Sequence, residues 1–234
     1  MMRLQDRIDE DAEQRAGAKS LIMDLIKDNR LLMGDPNEYG VIFEGMTIPR
    51  YKPWNGGNEY HTALSDERFN MIQQLVVGLP AGSVAVEMGV FTGGVTKFFL
   101  DQKLEAWAFD TFKGVAGADG EHDLHTDGDY CSPDGVLDYI KGAKVVRGEI
   151  PNTLDIVRLA DIRIAHIDLD VYQPTKHALS WVYDRLHPDG VIVVDDYGFA
   201  STPGVREAVD EFKYGRKLYI PTGQMIIWHK GETY

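Results

Sequence analysis

Four aspartates stand in two close pairs: Asp168 and Asp170 in HIDLDVYQPT, and Asp195 and Asp196 in VIVVDDYG. Each pair follows a short apolar run, 162–167 and 191–194, of the kind that forms a buried strand. Adjacent strands lie about 5 Å apart, so four carboxylates at two neighbouring strand ends would converge. Crowding anions into a partly buried cleft is costly without a cation. Oxygen ligands of this kind suit Mg²⁺, with Ca²⁺ or Mn²⁺ as alternatives. The only cysteine is Cys131, and His166 lies inside the strand as a core residue, which disfavours zinc. A divalent ion beside a bound hydroxyl would lower its pKa, and a neighbouring carboxylate would take the proton. One aspartate pair alone is better read as helix caps or loop acceptors. Two pairs at adjacent strand ends favour the metal.

A second constellation is VEMGVFTGG, between a strand and a helix. Gly89 and Gly93 allow a tight turn and close backbone approach to a ligand. A dinucleotide site would read G-x-G-x-x-G. Here Glu87 precedes the first glycine, and a carboxylate there repels a pyrophosphate but suits an ammonium or sulfonium group. Asp110 follows Glu87 by 23 residues, at the end of the next strand, where an acidic side chain accepts from ribose hydroxyls. A nucleoside with a cationic tail and no phosphate points to S-adenosylmethionine.

Several elements must position these residues. Residues 3–33 have helical spacing of Leu4, Ile8, Leu21, Leu25 and Leu32, ended by GDPN. A loop-rich connector or lid follows, carrying Pro49, Pro53, Gly56 and Gly57. Ser65 caps a helix through DERFNMIQQLVVGL. Strands are expected at 83–88, 106–109, 144–146, 162–167 and 191–194, with helices after Gly93, at 177–186 and at 204–214. The HPDG at 187–190 reads as a break. Leu218–Ile220 and Met225–Trp228 flank Pro221-Thr222-Gly223 as an antiparallel hairpin. The fold class is therefore α/β, a mostly parallel Rossmann-like sheet with helices on both faces and an antiparallel C-terminal edge. The expected division is an N-terminal helical extension and connector at 1–60 and a catalytic domain at 61–234.

Composition limits the functions. The chain has 234 residues, 44% hydrophobic and 26% charged, enough for one substantial core. A formal net charge of -13 disfavours nucleic-acid partners. No apolar run is long enough for a bilayer and the charged N-terminus has no signal core, so a cytoplasmic protein without a membrane partner is expected. A single cysteine agrees with a reducing compartment.

These motifs resemble the macrocin-type sugar O-methyltransferases, which include mycinamicin and novobiocin tailoring enzymes. The shared stretches are VEMGVFTGG, FDTFKGV, YCSPDGV, HIDLDVYQPT and HPDGVIVVDDYG, with 27 residues from Asp168 to Asp195. The resemblance covers roughly residues 40–230. It implies a class I methyltransferase fold and Mg²⁺-dependent methyl transfer from S-adenosylmethionine to a sugar hydroxyl of a glycosylated small molecule, in natural product biosynthesis. It implies that Asp168, Asp195 and Asp196 hold the metal, with Asp170 or Asp168 as base. Glu87, Gly89, Gly93, Asp110, Thr111 and Gly148 are implied for the cofactor. Met46-Thr47 reverses the family's Thr-Met element, and Gly148-Glu149-Ile150 departs from its glycine-aromatic pattern. As in the family, the N-terminal helix could join copies into a homo-oligomer, although amphipathicity alone allows packing in cis.

For the acceptor, no Lys or Arg lies between Lys113 and Lys141, where Asp119, Glu121, Asp123, Asp127, Asp129, Asp134 and Asp138 accumulate. The segment is either a mobile lid over the acceptor or a solvated loop. His122, His125, Tyr172 and Tyr197 are the candidate acceptor contacts, and Tyr39, Tyr51, Trp54 and Tyr60 could line the pocket from the N-terminal side. Two other readings compete. A catechol- or caffeoyl-type O-methyltransferase would need a flat apolar pocket, against which the acidic segment argues. A non-catalytic nucleoside- or metal-binding module would not need a base beside the ion.

Overall fold

A computed structural model describes residues 60–229, together with the backbone of a short antiparallel pair, β1 (Ile42–Phe43) and β2 (Met46–Thr47). The expected helix at 3–33 and Tyr39, Tyr51 and Trp54 lie outside the described residues. The remaining elements run α1 (Asp66–Val76), β3 (Val84–Met88), α2 (Gly94–Asp101), β4 (Glu105–Asp110), α3 (Val136–Tyr139), β5 (Lys144–Arg147), β6 (Ile162–Ile167), α4 (Tyr172–Tyr183), β7 (Leu186–Val194), α5 (Pro203–Glu211), β8 (Arg216–Ile220) and β9 (Gln224–Trp228).

Seven strands form one sheet in the order β5-β4-β3-β6-β7-β9-β8. The first five are parallel, and β9 is antiparallel to both of its neighbours. The chain runs outward from β3 to β5 and then returns to β6 on the other side of β3. That reversal opens a crevice at the carboxyl ends of β3 and β6, the place where such sheets bind ligands. Among the described residues, no helix is long and apolar enough to cross a membrane.

The central strands are apolar on both faces because both are covered. Val86, Met88, Ala165, Ile167, Ile192 and Val194 share a core with Leu179 and Val182 of α4 and Val205 and Val209 of α5. Ala85, Ile164, Val191 and Val193 pack with Phe69, Ile72 and Leu75 of α1 and Phe98 and Phe99 of α2. The Ser65 side chain caps α1 by accepting from the Arg68 N–H.

The two largest differences from the expected boundaries are the starts of β7 and α4. β7 begins at Leu186, and His187–Gly190 bulge out between the Leu186–Ile162 and Val191–Ile164 pairs instead of ending the element. α4 begins at Tyr172, five residues before the expected start. Its cap is remote: the Tyr172 N–H donates to Asp123 Oδ1 at 2.8 Å, and the Asp119 N–H donates to the other oxygen. The acidic segment is therefore pinned to the domain, with Asp123 buried at 7% exposure. His122 completes the tether by stacking on Tyr172, ring centroids 4.2 Å apart, and pairing Nδ1 with Glu207 of α5 at 2.9 Å.

Two predictions follow from this architecture. Gly89 has φ +89°, and a Cβ there would lie 1.7 Å from the Asp168 carbonyl oxygen. Gly89→Ala should therefore lower stability in urea unfolding by more than about 2 kcal/mol. The Glu207 contact raises the His122 pKa, so its contribution is full below the unfolded value of about 6.5 and disappears as pH rises through the folded value. An NMR titration should find His122 titrating above that value in the wild type. In Glu207→Gln it should return toward it, and the loss of melting temperature should be confined to low pH.

Candidate active site

The strand tips stay paired beyond the strands themselves. The Asp168 N–H donates to the Met88 carbonyl at 2.8 Å, and the Asp195 N–H to the Ile167 carbonyl at 2.9 Å. This continued register brings the four aspartates together. Oxygens of Asp168, Asp170 and Asp196 lie within 4.8 Å of one another, and a second group of the same tightness joins His166, Asp168 and Asp195. Asp170 and Asp196 adopt left-handed backbone, with φ +64° and +61°. Phe91 and Tyr130, which like them line the cleft, are also left-handed. Uncommon backbone of this kind concentrates where a site is held in a fixed shape.

Two cations meet these anions. Arg68 reaches from α1 with Nη1 2.9 Å from Asp195 Oδ1 and 2.5 Å from Asp196 Oδ1. His166 lies between two acids, Nε2 3.4 Å from Asp195 Oδ2 and Nδ1 3.7 Å from Glu87 Oε1. Burial alone would lower the His166 pKa, but the adjacent Asp195, Glu87 and Asp168 carboxylates outweigh it and push it up to about 10. Burial raises Asp195 as well, yet Arg68 and His166 hold it below its ordinary value. Burial, and then the charges of their neighbours, drive Asp168 and Asp170 well above the carboxylate range and raise Asp196.

The cleft at this switch point has a volume of about 770 Å³ and is bounded by Gly89, Asp110, Thr111, Gly148, Asp168, Asp170 and Asp196, among others. Asp110 also shapes it: Oδ2 accepts from the Val90 and Phe91 N–H groups, and Oδ1 from the Phe112 N–H. Two expected cofactor residues are not on the cleft wall. Glu87 faces α2, where it accepts from the Thr96 N–H at 2.8 Å and from the Thr96 hydroxyl. Gly93 is the left-handed N-cap of α2 and backs onto Ile140. Met46 and Thr47 lie in β2, whose side chains fall outside the description.

Of the expected acceptor contacts, His125 lines the cleft beside Asp129 and Tyr130. His122 turns away to Glu207. The Tyr172 hydroxyl donates to Glu211, and the Tyr197 hydroxyl to Asp210. These three are not on the cleft wall, because α5 supplies their partners. Tyr60 packs against Phe69 and Phe98 instead of the cleft. Arg68 was not singled out from the sequence. Its signal was its place on the apolar stripe of α1, four residues before Ile72 and seven before Leu75.

The macrocin-O-methyltransferase (TylF) family model matches residues 135–229, a span that holds all four aspartates. Mycinamicin III 3''-O-methyltransferase of Micromonospora griseorubida is 25% identical, across 82% of this chain and 88% of its own length. A tetracenomycin rhamnosyl 4'-O-methyltransferase of Streptomyces olivaceus is also 25% identical, across 84% and 85%. Among solved structures, the O-methyltransferase NovP superposes with a TM-score of 0.62 at 22% identity, covering 72% of this chain and 82% of that one. A calicheamicin methyltransferase gives 0.57 at 19%, covering 69% and 76%. These two share the class I methyltransferase fold. With both curated relatives named as O-methyltransferases and aligned along more than four-fifths of its length, the chain is similar to the macrocin-type enzymes and is an S-adenosylmethionine-dependent O-methyltransferase.

Proposed function

We propose that the chain methylates a sugar hydroxyl on a glycosylated small molecule and that a divalent ion, Mg²⁺ in the first instance, assists. The observation that carries this reading is the convergence of Asp168, Asp170 and Asp196 on the wall of a cleft that Asp110 and Gly148 also line. The two curated relatives are named for methylation of mycinamicin III and of a rhamnosyl tetracenomycin. His125 and Asp129 on the cleft wall supply hydrogen-bonding groups that a polyhydroxylated acceptor can use and a flat catechol uses less.

The residues fit a hard divalent cation. Among the described residues, five carboxylates, Glu87 and the four aspartates, meet Arg68 and His166 as the nearby cations, which leaves negative charge uncompensated in a buried place. Asp168 and Asp196 would hold the ion, with Asp170 adjacent. Asp195 would share in it less, since Arg68 and His166 already face its oxygens. When bound, such an ion lowers the pKa of a coordinated hydroxyl and fixes its oxygen.

The remaining work belongs to this chain's own groups. S-Adenosylmethionine brings an already electrophilic methyl, so alignment is the main demand on the protein. Asp110 accepts from a ribose hydroxyl with the lone pair on Oδ1 that the loop N–H groups leave free. Gly89 and Gly148 let backbone approach the cofactor. Asp170, partly buried on the cleft wall, takes the acceptor proton on a carboxylate oxygen. Self-association through residues 3–33 belongs to the same proposal.

Calorimetry should show S-adenosylmethionine binding that NAD does not compete for. Asp110→Ala should weaken it more than about tenfold, through lost ribose contacts and a loosened 89–91 turn. Asp170→Asn should reduce turnover of a glycoside acceptor by roughly 100-fold or more while sparing cofactor affinity. Chelation should abolish turnover and Mg²⁺ should restore it. Full turnover in excess chelator would sink the metal part of the proposal.

A further inference from the structure

We infer that Arg68 is a resident counter-cation of the carboxylate cluster, one that competes with a divalent ion for Asp195 and Asp196 and so limits how tightly the ion is held. The inference rests on the metal reading above and adds a residue that the reading does not need.

Arg68 sits in the first turn of α1, in line with Ile72 and Leu75, so the packing of that stripe drives a charged side chain inward. Two contacts hold its head and a third holds its backbone. Nη1 bridges Asp195 and Asp196, the guanidinium lies over the Phe199 ring at 5.1 Å, and the main-chain carbonyl accepts from Gln224 Nε2 of β9. Nε is buried and has no hydrogen-bond partner among the described residues. A buried arginine with one unsatisfied donor is costly, and here the two carboxylates offset that cost. The pairing is thus a large electrostatic commitment, and it is made on oxygens that a hard cation would also seek.

Asp195 shows the competition most directly. Oδ1 faces Arg68 and Oδ2 faces His166, so both oxygens already have cationic partners. Asp196 gives Oδ1 to Arg68 while contributing to the group with Asp168 and Asp170. A monovalent cation beside these ligands repels a divalent one and occupies its lone pairs. Removing the charge should release both carboxylates and tighten ion binding. A residue that merely props the helix would do the opposite, since loosening the cluster weakens a metal site.

The test titrates full-length wild type, Arg68→Gln and Arg68→Lys with Mn²⁺, read by electron paramagnetic resonance, and follows melting with and without saturating Mg²⁺. Arg68→Gln should bind Mn²⁺ roughly tenfold more tightly than wild type and gain more melting temperature from Mg²⁺. Arg68→Lys, which keeps the charge, should stay within about threefold of wild type. A variant that folds only when Mg²⁺ is present also supports the inference, because the ion then replaces the missing cation. Unchanged or weaker binding in Arg68→Gln overturns it, as does equal tightening in Arg68→Lys or an Arg68→Gln chain that stays unfolded at saturating Mg²⁺. Failure of the wild type to bind either ion would remove the metal reading itself, a separate result from loss of the Arg68 effect.

Discussion

The arrangement depends on a buried row of alternating charge across the tips of β3, β6 and β7: Glu87, His166, Asp195, Arg68 and Asp196 in succession. Each member is desolvated and each is tolerable only beside its neighbours. Glu87 stands opposite His166 in the β3–β6 register, and His166 opposite Val193 two residues before Asp195 in the β6–β7 register. The row thus requires these three strands to be adjacent and in this alignment. It also ties in two helices: Thr96 of α2 satisfies Glu87, and Arg68 brings in α1. The helices of this face are held by apolar packing and by the electrostatics of the site alike.

The crevice side of the tips follows from the other phase of the same strands. Side chains alternate along a strand, so residues 87, 166 and 195 point toward α1 and α2 while residues one position away open elsewhere. That explains why Glu87, placed by its motif beside a cationic ligand, is instead found accepting from Thr96. The motif was legible, but strand phase decided which wall received the carboxylate. Arg68 was hidden for a related reason. Among Asp66, Glu67 and Arg68 it looks like part of a solvated first turn, and only the helical phase shared with Ile72 marks it as inward-facing.

The strands themselves were easy to read, because runs such as VAVEM and IRIAHI are too apolar for any place but a covered sheet. What misled were signals with non-local partners. Tyr172-Gln173-Pro174 lacks a local cap, so the start of α4 was legible only with Asp123, 49 residues earlier, in place. A proline in the first turn costs the helix little. His187–Gly190 has the composition of a break, yet pairing on both sides keeps it within β7 as a bulge. The acidic segment borders the cleft and is built on its own backbone. Asp119, Asp127 and Asp129 accept from nearby backbone N–H groups, and these bonds organise the loop that borders the cleft.

The left-handed backbone at Asp170 and Asp196 reaches beyond geometry. That region is open to glycine and, with several-fold preference over other side chains, to aspartate and asparagine. A glutamate would keep the charge but lose the short chain that bonds locally, and β-branched residues would clash. Drift at these two positions is accordingly channelled into a very small set of residues, most of which remove the charge. The chain's path has made the acid chemistry at its strand tips hard to vary without losing it, so divergence among related enzymes should accumulate in the walls of the crevice and leave these two corners alone.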